Sequence, residues 1–239
     1  MVTPREAATV MLVRDAPDLE VFMLRRSTAL AFVGGASVFP GGAVDPADGD
    51  AELVARCTGW SDSDASAAVG VPSGGLRFWV AAVREAFEEA GVLLARRRGS
   101  GAPVDSTAPV LVDARQALNA GTLAFADLVR AENLVLDTAG LRPCSRWITP
   151  PGGPRRYDTR FFVAAAPDGH VYEHDDGEAV ASQWVRPADA LAAFRRGEIE
   201  LILPTLRCLE SLACHVDAAS ALAGLGNITG NATDDAGAA

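Results

Sequence analysis

The chain contains no lysine; all 21 of its strongly basic residues are arginine, beside three histidines. That removes Schiff-base chemistry, a lysine general base and the lysine that grips phosphate in a nucleotide-binding glycine loop. Cysteine is scarce too. Cys57, Cys144, Cys208 and Cys214 lie far apart and form no CxxC pair, so they are expected to be reduced and mostly buried. His170, His174 and His215 form no HExxH, which argues against a zinc centre. Long apolar runs are also missing. The longest near the start, "AATVMLV", is flanked by Arg5-Glu6 and Arg14-Asp15, too short for a membrane span and unlike a signal peptide. A cytoplasmic protein with no membrane partner is the expectation.

What is present in excess is negative charge, a net -10 over 239 residues. Such a chain is not a general nucleic-acid or anionic-membrane binder. To take an anionic substrate it needs local arginines or a bound cation. The length is long for one small domain and short for two, and 49% apolar residues supply a sizeable core. One domain is expected over residues 1–225, with insertions at about 50–75 and 96–141. The small, polar tail 226–239 reads as disordered. The 96–141 insertion has the choice of shaping a substrate pocket or a homodimer contact.

The local pattern mixes strands and helices. "AATVMLVRD" and "LEVFMLRRS" read as two strands around the turn "APD". "FVGGASVFPGGAVDPADGD" is loop with a short strand, and 51–75 has room for a short helix. "VLLA", "SRWITP", "RRYDTRFFVAAAP", "HVYEH" and "VASQWVRP" are further strand candidates. "VDARQALNA", "LAFADLVRAENL", "PADALAAFRRGEI" and "LPTLRCLESLACHVDAASALAGL" read as helices. The sum is an α/β (α+β) chain with one main sheet and helices packed on it.

One helix stands out. In "AAVREAFEEAGVLL", Glu85, Glu88 and Glu89 sit at i, i+3 and i+4, just before Gly91. At about 100° per residue, Leu76, Trp79, Val80, Val83, Phe87 and Ala90 form a core face. Arg77, Arg84 and the three glutamates fall opposite. Like charges one turn apart cost a few tenths of a kcal/mol unless compensated. Spacing alone leaves two readings open: a solvated helix face, or carboxylates arranged to share a divalent cation.

The segment "REAFEEAGV" resembles the core of the Nudix hydrolase signature, with Arg84-Glu85, Glu88-Glu89 and Gly91 at its fixed positions. The upstream half departs from the pattern. The family places a glutamate eight residues before the arginine, where this chain has Leu76. Gly70 fits the preceding glycine by spacing, but "VFPGGAVD" looks more like the glycine loop, so the signature reads as split by roughly thirty inserted residues. This split, with "MLRRSTALAFVGGASVFPGG", resembles the peroxisomal-type coenzyme A diphosphatase branch and its bacterial relatives. Arg26, Ser27, Gly35 and Phe39 to Gly42 fit that branch's motif, while its second arginine falls on Ala31.

The resemblance implies a Nudix-type α/β/α sandwich with a mixed β-sheet and an inserted helical segment. It implies hydrolysis of a diphosphate linkage, in coenzyme A or acyl-CoA, with Mg²⁺ or Mn²⁺. Glu85 and Glu89 would ligate metal, with Glu88 as ligand or water-activating base, and a backbone carbonyl at Gly42 could add a ligand. Arg84 would orient a glutamate. Glu178, in "EHDDGEAVASQW", stands where relatives carry a further acid. Arg26, Ser27, Phe39, Gly41, Arg156 and Arg160 are the substrate-binding candidates, because with no lysine the arginines must meet the phosphates. Alternation puts Arg156, Asp158 and Arg160 on one strand face. For each arginine alone, a salt bridge to one of the many acids competes with that role. Two other functions stay open: the same chemistry on ADP-ribose, a dinucleotide or another nucleoside diphosphate derivative, and a non-catalytic nucleotide-binding regulator.

Overall fold

The structure is a computed structural model that describes residues 2–28, 34–152, 154–168, 170–174 and 179–225. The tail 226–239, Ala31 and Glu178 therefore lie outside the described residues.

Strands β1 (Arg5–Asp15) and β2 (Leu19–Arg26) form the expected hairpin about Ala16-Pro17-Asp18. Next come β3 (Ser37–Val38), β4 (Gly41–Ala43), α1 (Ala51–Val54), α2 (Asp62–Val69) and α3 (Leu76–Ala90). The chain continues through β5 (Ala95–Arg97), α4 (Pro109–Asn119), α5 (Phe125–Ala131) and β6 (Leu134–Leu136). It ends with β7 (Arg142–Ile148), β8 (Tyr157–Ala165), β9 (Ala179–Val185), α6 (Pro187–Arg195), α7 (Leu203–Leu212) and α8 (Ala218–Leu225).

The main sheet runs β3-β2-β1-β8-β7, with β4 also on β1 and β9 on β2. β1 and β8 are parallel and the other pairs antiparallel, so the sheet is mixed. Alternation along each strand feeds two cores. Ala8, Val10 and Leu12 of β1, with Phe22 and Phe162, face α3 and the inserted helices. Met11, Val13, Met23, Phe161 and Val163 face the side that carries Leu191 of α6, Leu209 of α7 and Leu225 of α8. The result is the expected α/β/α sandwich.

The segment 96–141 holds the two expected helices, together with a small β5–β6 sheet. Residues 51–75 hold two helices, α1 and α2, rather than one. Two strand expectations are corrected. Val92 to Leu94 are not strand: the Val92 N–H closes back on the Ala86 carbonyl and all three side chains enter the core, leaving only Ala95 of "VLLA" in β5. "HVYEH" is not strand either, because its polar groups bond to other elements: His170 to Ser106, the Glu173 N–H to Ala90. The cysteines are all free, but only Cys144 and Cys208 are buried, while Cys214 is exposed. Among the described residues no helix is long and apolar enough to cross a membrane.

Candidate active site

The site is built on α3. Trp79 anchors the helix in the core, between Trp60 and Phe162, and donates its indole N–H to the Leu141 carbonyl at 3.2 Å. Gly75 offers the N-terminus no side-chain cap. Asp62 of α2 serves instead, accepting the N–H groups of Gly74 at 2.8 Å and Leu76 at 3.1 Å. At the other end Gly91, at φ 71°, takes the left-handed conformation that stops a helix.

The outer face of α3 is not a solvated charge run. Glu85 is only 8% exposed, and Glu88 and Glu89 are half-buried. Arg84 donates five hydrogen bonds, using every N–H it has: two to Asp48, one each to Glu85 at 2.8 Å and Glu88 at 3.0 Å, and one to the Ala43 carbonyl. Burial works against its charge, but the Asp48 hydrogen bonds and the fields of Glu85, Asp48 and Glu88 outweigh that and hold it protonated. Glu89 accepts the Gly41 N–H at 2.8 Å. A Cβ on Gly42 would overlap the Glu85 carboxylate, and one on Gly41 would overlap the β1 backbone at Ala8 and Thr9, so the glycines let β4 lie close to both.

Asp48, Glu85 and Glu88 thus share one guanidinium, while Glu89, also on α3, is held by the Gly41 N–H of β4. Burial pushes the Glu85 carboxyl up to about 7; Arg84 opposes this, and the Glu88 and Asp48 charges add to it. Burial raises Glu88 as well, against Arg84, with the Asp48 and Asp45 charges adding to the rise. This donor set fits a hard divalent cation: oxygen ligands only, negative charge in excess of its one cation, and glycine backbone lying against Glu85. Among the described residues, no three His, Cys, Asp or Glu side chains are already converged on one point. Arg84 and the Gly41 N–H hold the carboxylates instead.

Asp48 was missed from sequence, yet it is 1% exposed and is the bidentate partner of Arg84, at 2.9 Å to each oxygen. A signal for it existed. Asp48 lies six residues after Gly42, the same interval that separates Gly70 from Leu76. Leu76 itself is buried and apolar. The upstream acid that meets Arg84 is therefore Asp48, delivered by the short 3₁₀ turn Pro46–Gly49 after β4.

The remaining candidates scatter. Arg26 and Ser27 stand at the end of β2, where Arg26 pairs with Ala179 of β9. Phe39 is 2% exposed, with its ring packed in the core beneath α6 to α8. Arg160 lies away from the glutamates. It is 3% exposed, pairs with Asp158 at 2.7 Å, reaches the Val69 carbonyl and stacks over Phe78. Phe78 lies two turns, about 10 Å, before Glu85 along α3. Arg156 donates to the Thr149 and Val2 carbonyls, which fastens the β7–β8 connection rather than addressing the glutamates.

The family model for the NUDT19 Nudix domain matches residues 54–212, most of the chain. The chain belongs to the NUDT19 Nudix domain family. This chain is similar to the acyl-coenzyme A diphosphatase NUDT19 of Gallus gallus, at 31% identity over 84% of this chain and 65% of that protein. The protein of the same name from Homo sapiens is also 31% identical, over 83% of this chain and 61% of its own length. The chain thus spans less than two thirds of these Nudix relatives. Its fold is similar to the crystal structure of a NUDIX hydrolase from Alicyclobacillus acidocaldarius, with a TM-score of 0.78, 32% identity, and coverage of 93% of this chain and 97% of that one.

Proposed function

We propose that the chain hydrolyses the diphosphate linkage of coenzyme A or acyl-CoA, releasing adenosine 3′,5′-bisphosphate and (acyl-)4′-phosphopantetheine. The observation that carries this reading is the set Glu85, Glu88 and Glu89, gathered by Arg84 and the β4 glycines, in a chain whose relatives bear the acyl-coenzyme A diphosphatase name. Mg²⁺ or Mn²⁺ would be held by Glu85 and Glu89, with Glu88 and the Gly42 carbonyl as further oxygens. When bound, the cation supplies charge to the phosphate oxygens and acidifies water. The chain's own part is to hold the carboxylates in place and take up a proton from the attacking water, at Glu88 or at Glu178. With every N–H engaged, Arg84 orients glutamates and does not grip phosphate.

The same chemistry on ADP-ribose is favoured by one observation, Ala31 in place of the branch's second arginine. Mass spectrometry of products from coenzyme A and from ADP-ribose, each with Mg²⁺ or Mn²⁺, separates the two. Adenosine 3′,5′-bisphosphate is the expected product. Cleavage of ADP-ribose alone would overturn the coenzyme A assignment and keep the chemistry.

A further inference from the structure

The last turn of α3 carries Glu88 and Glu89, so their carboxylates are placed only as well as that turn is held. Helix ends fray, because their final carbonyls lack intrahelical partners. Here the Phe87 carbonyl accepts the Gly91 N–H at 3.0 Å and the Ala86 carbonyl accepts the Val92 N–H at 3.1 Å. The Glu88 carbonyl is served from outside. It accepts Arg115 Nε at 3.0 Å and Asn119 Nδ2 at 3.3 Å, both from α4 of the insertion. Arg115 Nη2 also donates to the Glu173 carbonyl at 2.9 Å, and the Glu173 N–H donates to the Ala90 carbonyl at 3.3 Å. One guanidinium therefore joins α4, the end of α3 and the 170–174 segment.

The surroundings are shaped for it. A Cβ on Gly91 would lie 2.9 Å from Arg115 Nη1, so the absent side chain at the helix stop is also the space the guanidinium fills. Leu111, Ala114 and Leu118 bury the inner face of α4 in the same core as α3, which fixes where Arg115 and Asn119 project. A cation at a helix C-terminus also meets the negative end of the helix dipole.

We propose that Arg115 is a positioning residue for the glutamate site: it acts through the backbone of α3 to set Glu88 and Glu89, which makes the 96–141 insertion part of the catalytic scaffold. This rests on the metal-dependent diphosphatase reading above.

The test uses the full chain with Arg115→Ala, Arg115→Gln and Arg115→Lys. Mn²⁺ affinity is read by electron paramagnetic resonance, the Mg²⁺ dependence of product release is read separately, and circular dichroism verifies the fold. Ala and Gln should weaken Mn²⁺ binding and raise the Mg²⁺ requirement by roughly 10- to 100-fold, the usual cost of losing a residue that orients metal ligands. Lys, which keeps the charge and a single donor nitrogen, should recover part of it. If Arg115→Ala fails to fold, the Gln and Lys variants decide. Lower melting temperature with unchanged Mn²⁺ affinity would make Arg115 merely structural and overturn the proposal, while leaving the diphosphatase reading intact. A parent chain that cleaves no diphosphate, yet binds Mn²⁺ in an Arg115-dependent way, would overturn that reading and leave the positioning role standing.

Discussion

All five N–H donors of Arg84 end on protein oxygens, and two of them end on Asp48. Asp48→Asn should therefore act at a distance from any substrate. Weakening this charged pair is expected to cost about 2–3 kcal/mol, since Glu85 and Glu88 remain to neutralise Arg84. The freed guanidinium would pull both glutamates off position and slow turnover. Urea unfolding and steady-state rates check both parts, and a variant matching the parent would end the orienting role. Asp158 gives a second residue-scale expectation. Burial tends to raise its carboxyl, but hydrogen bonds from Arg146 and Arg160 outweigh this and hold it below its ordinary 3.8. A depressed carboxyl stabilises the fold above its unfolded value, and the gain disappears as pH falls through the folded one. Asp158→Asn should thus melt lower near neutrality and lose less on acidification below about pH 4. A melting curve against pH as steep as the parent's would contradict it.

At the scale of elements, α3 is held at both ends by other segments: Asp62 at its start, Arg115 and Asn119 at its finish. Asp62→Ala removes the N-terminal cap, and a loss of about 1 kcal/mol is expected in denaturant unfolding. A loss near zero would mean that water replaces the carboxylate at no cost. The helix itself was legible in sequence because Leu76, Val80, Val83 and Phe87 keep helical spacing up to a glycine stop. "VLLA" and "HVYEH" were not legible as loops. Their branched and aromatic residues suit a strand equally well; Val92 to Leu94 instead enter the core beside α3, and "HVYEH" spends its polar groups on Ser106 and Ala90, contacts that no local pattern encodes.

Across the whole molecule, the insertion is not an appendage. Leu111, Leu118, Leu128, Val129, Leu134 and Leu136 belong to the core that also holds Phe22, Trp79 and Phe162. Leu111→Ala is expected to cost about 3 kcal/mol, and to shift one cooperative transition seen alike by tryptophan fluorescence and far-ultraviolet circular dichroism. Two separated transitions would show that the insertion folds as its own unit.

By itself the sequence determined what short-range periodicity and fixed spacing can encode. It gave the alternation of β1 and β2, the span and stop of α3, the three glutamates on one side of it and the Nudix signature they compose. Tertiary structure alone decided which distant groups complete that signature. Asp48 meets Arg84 across 36 positions and Arg115 meets Glu88 across 27, separations at which no local pattern registers a contact. The fold also decided where Phe39 and Arg160 sit: the ring goes into the core, and the guanidinium pairs with Asp158. Residue type sets what a side chain can do, whereas solvent access and partners, fixed only when strands and helices pack, set what it does.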